Sequence, residues 1–255
     1  MLRFMEITEA QYLRIEPSLP RQRGNVSLPN LQVLNALLYV AEQGCKWRGL
    51  PKRFGNWHTI YTRMNRWSKN GVLERVFEQL QREQIVRIKI EAVKLDSTTV
   101  KVHPDGMGAL KNGPQAIGKS RGGWTTKIHL VAANARTAIT FALSPGQASD
   151  AVEGRELLGG IGPLPAPLYL IMDRAYEDNK TLQLALDFGF LPVVPPKSNR
   201  LRPWQYDKAM YRKRNEIERL FRRLKGFRRI FSRFDKLDVV FLAFLNFALI
   251  VEALR

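Results

Sequence analysis

The chain has 255 residues, with 41 Lys or Arg against 23 Asp or Glu, a formal net charge of +18 and a pI near 10.4. That length allows one large domain or two modest ones with ample core, and an excess of base spread along the whole chain points to a polyanion, nucleic acid before an anionic membrane. The one cysteine, Cys45, excludes an internal disulfide framework and suits a reducing compartment.

Up to about Lys89 the pattern is helical. Leu31, Leu34, Leu37, Leu38 and Ala41 make an amphipathic set after Pro29, a residue favoured near helix starts. A break at Gly49–Leu50–Pro51 leads to Trp57, Ile60, Tyr61, Met64 and Trp67 at helical spacing; Asn70-Gly71 ends that helix and Val72 to Gln84 restarts it. Short helices broken by tight turns, with Arg63, Arg66 and Lys69 on one of them, suggest a helix-turn-helix-like DNA-binding domain over residues 1–89. The plainer alternative is a helical bundle whose basic residues are only solvated.

From Glu91 the texture changes. AVKLDSTTVKVH, TTKIHLVAAN and TAITFALSPG are β-rich runs separated by turns, followed by a helical ASDAVEGRELLGGI, the apolar run LYLIMD, the helix NKTLQLALDFG and the strand FLPVVPP. Three strands followed by alternating elements predict an α/β domain over residues 90–255, a mixed sheet flanked by helices. The apolar run Val239 to Val251 is shorter than the roughly 20 residues a membrane span needs, and it reads as a buried C-terminal helix. No basic-then-apolar leader is legible, so a cytoplasmic, nucleoid-associated protein with no membrane partner is expected.

Two carboxylates close strands. Asp96 follows AVKL and Asp173 follows LYLIM, and an Asp on a buried strand is costly unless it is paired, hydrogen-bonded or bound to a cation. Each could instead be a capping residue, Asp96 for the amides of Ser97 or Thr98 and Asp173 as a partner of Arg174.

The stretch YRKRNEIERLFRRLK, Tyr211 to Lys225, predicts one helix. At about 100° per residue, Ile217, Leu220, Phe221 and Leu224 form a core-facing stripe. Arg214, Glu218 and Lys225 share one edge of it with Tyr211. Glu216 falls beyond the other edge among arginines, where solvated ion pairs are expected. Three carboxylates, Asp96, Asp173 and Glu218, without a zinc-like arrangement of His58, His103 and His129, suit Mg²⁺ or Mn²⁺ bound through oxygen. Two such ions could drive in-line attack on a phosphodiester.

LDSTTVKVHP, GKSRGGWTTKIHLVAA, LSPGQASD, LIMDRAYEDN, LPVVPPKSNR and YRKRNEIERLFRRLKGFRR, taken together, resemble the DDE transposases of the insertion-sequence-five group. That group's signature of Tyr, two residues, Arg, three residues, Glu, six residues, Lys is matched by Tyr211, Arg214, Glu218 and Lys225. The run from Trp47 to Trp57 resembles the group's helical DNA-binding region. The resemblance implies a ribonuclease-H-like catalytic domain with Asp96, Asp173 and Glu218 as metal-binding catalytic triad and two divalent ions. It also implies double-stranded DNA as partner (element ends and target) and a homodimer in the synaptic complex. DNA contacts are expected from Tyr211, Arg214 and Lys225 and, in the N-terminal domain, from Arg63, Arg66 and Lys69. A nuclease or resolvase of the same fold without strand transfer, or a DNA-binding protein that kept the fold, is also compatible; a joining assay and metal-dependent nicking separate them.

Overall fold

A computed structural model describes residues 5–22, 27–107 and 113–255, so residues 1–4 and 23–26 of the expected N-terminal domain lie outside the described residues. The chain divides into two compact units, one made of residues 1–83, 102–115 and 223–255, the other of 84–101 and 116–222.

The first unit is helical. Helix α1 (Glu9–Ile15) opens on Thr8, whose hydroxyl accepts from the Gln11 amide while the Gln11 side chain accepts from the Thr8 amide, a capping box. Helix α2 (Asn30–Gln43) follows Pro29 and stops at Gly44, which takes a φ of 61°, a left-handed cap that glycine adopts without steric cost. Two short 3₁₀ turns, Trp47–Gly49 and Lys52–Phe54, fill the expected break. Helix α3 (Trp57–Lys69) is capped by Asn56, and α4 (Val72–Arg87) follows. Of the apolar stripe expected of α2, Leu34, Leu37, Leu38 and Ala41 are inaccessible or nearly so, while Leu31 is half-buried.

The second unit holds the sheet, built from β1 (Ala92–Val102), β2 (Gly118–Ser120), β3 (Gly123–Ala132), β4 (Ala138–Pro145), β5 (Leu168–Met172) and β6 (Phe190–Val193). β1 pairs antiparallel with β3 and parallel with β5, which pairs parallel with β6. β2 and β4 pair antiparallel with successive parts of β3. Three antiparallel strands continued by two parallel ones, with the first strand at the centre, is the ribonuclease-H-like mixed sheet. Helices α5 (Asp150–Ile161) and α6 (Asn179–Asp187) belong to the core in which Val93, Leu95, Leu170 and Met172 join Leu158, Tyr176 and Ala185. Gly154 brings α5 close: a Cβ there would stand 2.6 Å from the Tyr176 ring. The other sheet face carries Ala92, Ile171 and Val193, covered by Tyr206, Met210 and Tyr211.

One expectation needs correction. The helix from Tyr211 to Lys225 is in three pieces: α7 (Lys208–Tyr211), a 3₁₀ turn over Arg212–Arg214, and α8 (Asn215–Gly226). The i→i+3 bonding tightens the turn locally, so Tyr211 is not strictly on the wheel of Glu218. The compact units are drawn differently from the expected domains 1–89 and 90–255: α9 (Arg228–Phe231) and α10 (Asp238–Ala253) belong with the N-terminal helices. α10 packs on α3 and α9, with Phe241, Phe244 and Phe247 inaccessible. A helix apolar on every side must be covered on every side, and its partners are remote in sequence. Among the described residues no helix is long and apolar enough to cross a membrane.

Candidate active site

Strand register places the first two carboxylates side by side. The parallel ladder of β1 and β5 ends at Leu95 opposite Met172, and Asp96 and Asp173 are the next residue on each chain. β1 has an antiparallel neighbour in β3 and a parallel one in β5. The Asp96 side chain is 13% exposed. Its Oδ1 accepts from the Ser97 amide at 2.8 Å, and Asp173 Oδ1 accepts from the Arg174 amide at 2.5 Å. The capping bonds that could have explained each Asp away are therefore present. They use one oxygen of each carboxylate.

The other oxygen of Asp96 faces Arg214, in the 3₁₀ turn that leads into α8. Arg214 Nη1 donates to Asp96 Oδ2 at 2.8 Å and Nη2 to Glu218 Oε1 at 2.5 Å, so one guanidinium spans the carboxylates of strand and helix. Burial pushes the Asp96 carboxyl up to about 6, and the charges of Asp173 and Glu218 push the same way, against the Ser97 amide and Arg214. Burial opposes the charge on Arg214, yet Asp96, Glu218 and Asp173 hold it more firmly protonated than usual. Three carboxylates thus act on one another with a single cation between two of them.

The donor chemistry fits a hard divalent cation, being carboxylate oxygen without thiolate or imidazole. The geometry is closed around Arg214: among the described residues no three acidic, histidine or cysteine groups stand close enough together to hold a metal ion. Tyr211 lies edge-on to Tyr206, with ring centroids 5.5 Å apart, and Arg214 lies 6.0 Å from the Tyr211 ring. Tyr211 therefore packs on the core edge as well as flanking Arg214. Lys225 is half-buried and burial lowers its pKa; along α8 it sits two turns beyond Glu218 on the same side.

Glu216 departs from its sequence reading. Its side chain is still 32% exposed, but its ion pair is not with a neighbouring arginine: Oε2 lies 2.6 Å from Nζ of Lys94, whose side chain is 4% exposed. The sequence treated Lys94 as part of an apolar strand start and so missed its carboxylate. Pattern reasoning also missed a polar cluster beside the site. Asp150 accepts from Ser97 Oγ at 2.9 Å and from Lys127 Nζ at 3.0 Å, while His129 shares a 2.7 Å bond with Ser144 and is kept neutral by burial, its pKa near 4. Glu177, 5% exposed, anchors the basic loop through Lys197 and Arg200.

In the helical unit Arg66 and Lys69 are exposed. Arg63 is half-buried, with Nη1 donating to the Leu28 carbonyl at 2.9 Å, so its guanidinium partly serves its own chain.

Residues 88–251 match the family model described as "Transposase DDE domain", and residues 7–77 match one described as "Putative transposase of IS4/5 family". Among curated proteins, the chain is 27% identical over 132 residues to the "Putative transposase for insertion sequence element IS6501" of Brucella ovis, a match covering 51% of this chain and 99% of that one. It is 38% identical over 80 residues to the "Uncharacterized protein y4sN" of Sinorhizobium fredii, covering 31% of this chain and 61% of that protein. A solved "Mos1 transposase paired-end complex with left transposon end" aligns over 83% of this chain and 79% of its own, at 10% identity and a TM-score of 0.27, too low to bear on the fold.

Proposed function

The chain belongs to the DDE transposases of insertion sequences, and from that premise we propose that Asp96, Asp173 and Glu218 are its catalytic, metal-binding triad in cleavage and strand transfer at the ends of its element. The supporting observation is Arg214: a guanidinium bonded to both Asp96 and Glu218 marks a place where two carboxylates converge on one cation. The family implies a divalent metal; Mg²⁺ or Mn²⁺, as two ions, is the choice these oxygen donors favour. Held by Asp96, Asp173 and Glu218, such ions would supply activation of the attacking water or hydroxyl and stabilisation of the leaving oxygen.

The chain's own groups do the rest. Register keeps Asp96 beside Asp173, and α8 presents Glu218 from above. Arg214 has a planar fork that suits a phosphate as well as a carboxylate, so it and Lys225 are assigned to the DNA backbone near the scissile phosphate, with Tyr211 beside them. Arg63, Arg66 and Lys69 are assigned to the terminal repeats, Arg66 and Lys69 being the more available. The protein acts as a homodimer on paired ends, in the cytoplasm with the nucleoid.

The test is single-turnover cleavage of end DNA in Mg²⁺. Asp96→Ala, Asp173→Ala and Glu218→Ala should each lower the rate by about a thousandfold or more while end binding persists. Cleavage retained in any one of them would remove that residue from the triad. Joining of the cut ends to target distinguishes a transposase from a nuclease of the same fold.

A further inference from the structure

The two glutamates of α8 have similar local surroundings. Each stands four residues after an arginine, Arg212 for Glu216 and Arg214 for Glu218, and they flank the fully buried Ile217 at about 100° to either side. The buried stripe of Ile217, Leu220, Phe221 and Leu224 turns one side of α8 to the core and puts the two glutamates at its opposite edges; which edge meets Asp96 depends on what faces the helix. The decision comes from β1. Lys94 and Asp96 are two residues apart on the strand, so both point to the same face, roughly 7 Å from one another. Lys94 Nζ has three donors, and all have partners: Glu216 Oε2 at 2.6 Å, the Ala133 carbonyl at 2.7 Å and the Ala92 carbonyl at 3.3 Å. Along this face the strand carries a positive and then a negative charge, while the helix answers with Glu216 and then with Arg214. The polarity alternates on both sides.

We propose that Lys94 is a positioning residue that selects the catalytic glutamate: by holding Glu216 it fixes the rotation of α8 and leaves Glu218 to Asp96 and Asp173. Turning the helix to bring Glu216 to Asp96 would strand a buried ammonium without its carboxylate and set two carboxylates together without Arg214. Both are heavily penalised. The inference rests on the triad assignment above and adds to it the device that enforces that assignment.

The test is the double substitution Lys94→Met/Glu216→Met in the full chain. It leaves the net charge unchanged, so an altered metal affinity does not report a change in overall charge, and replacing a buried lysine together with its half-buried partner by apolar groups avoids leaving either charge unpaired. Mn²⁺ binding followed by electron paramagnetic resonance should weaken by about 10- to 100-fold, the usual cost of losing a group that orients a metal ligand. The Mg²⁺ concentration for half-maximal cleavage should rise by a similar factor, with the rate recovering at saturating metal and end binding unchanged. Should the double variant misfold, Glu216→Gln, which can still accept from Lys94, should show a smaller shift in the same direction. Wild-type Mn²⁺ affinity in a folded double variant, or in Glu216→Gln, would overturn the inference and leave the pair a plain staple. Mn²⁺ binding that survives Asp96→Asn undiminished would bring down the triad assignment itself, and this inference with it.

Discussion

Two regions of this chain bury arginine beside carboxylates, in opposite proportions. In the helical unit Arg229 and Arg233 are 5% and 0% exposed. Arg229 holds Asp235 through Nε at 3.2 Å and Nη2 at 2.9 Å, and Arg233 reaches Asp238 at 2.7 Å and the Asp235 carbonyl at 2.9 Å. Two cations meet two anions, and the aromatic rings of Trp47, Phe241 and Phe244 lie over the guanidiniums. In the sheet unit Arg214 stands among Asp96, Glu218 and Asp173, and burial, helped by the charges of Asp173 and Glu218, pushes the Asp96 carboxyl upward in spite of Arg214. A balanced cluster holds a fold together. A cluster with surplus carboxylate is costly by itself and receptive to a cation from outside.

The largest effect should come from breaking the balanced cluster. Arg233→Ala leaves Asp238 and the surrounding carbonyls without their donor and empties the space under Phe241, so a loss of about 3–5 kcal/mol is expected, read as a fall in the denaturant midpoint. A stability loss below about 1 kcal/mol would mean that this pair behaves like an exposed one.

The unbalanced cluster should respond with the opposite sign. Because the folded carboxyl of Asp96 sits near 6 against an ordinary 3.8, the folded protein keeps a proton that the unfolded chain has already released between those values. Stability from this group is therefore present at low pH and lost as pH rises through about 6. Without metal, Asp96→Asn should raise stability by about 2–3 kcal/mol near pH 8, fading toward pH 4. The check is melting of both proteins across that range in chelator. A variant less stable than wild type at pH 8 would show that Arg214 fully compensates the carboxylates.

Smaller still are the effects of exposed cations. Arg66→Ala and Lys69→Ala should each lower the slope of log K against log salt for end DNA by roughly one unit for every phosphate left without its cation. Arg63→Ala, whose guanidinium also serves the Leu28 carbonyl, should lower the melting temperature as well as the salt slope. An unchanged salt slope in both exposed variants would move DNA recognition off α3.

Much of this was legible in one dimension. The strand that carries Asp96, the strand that ends before Asp173, the amphipathic stripe of α8 and the edge bearing Arg214 and Glu218 all follow from local periodicity, though Asp96 lies within β1 and does not close it. What could not be read were pairings across more than a hundred residues. Lys94 looked like one polar position in an apolar run, and its carboxylate lies on a helix far along the chain, so Glu216 was left on the surface. The 3₁₀ turn at Arg212–Arg214 was hidden because its residues are ordinary helix formers. The company kept by α10 was hidden because an all-apolar helix has no face from which to infer a partner.

The helical unit is assembled from residues 1–83, 102–115 and 223–255, and this has a consequence for how the protein is made. On the ribosome its first helices emerge early, with much of their apolar surface uncovered, and wait while the whole sheet unit is synthesised before α9 and α10 arrive to close them. The unit that starts first is finished last. Nascent chains of this kind depend on slow, long-range closure, and a message truncated before α10 would yield a protein whose carboxylate-bearing strands are complete and whose helical unit is not.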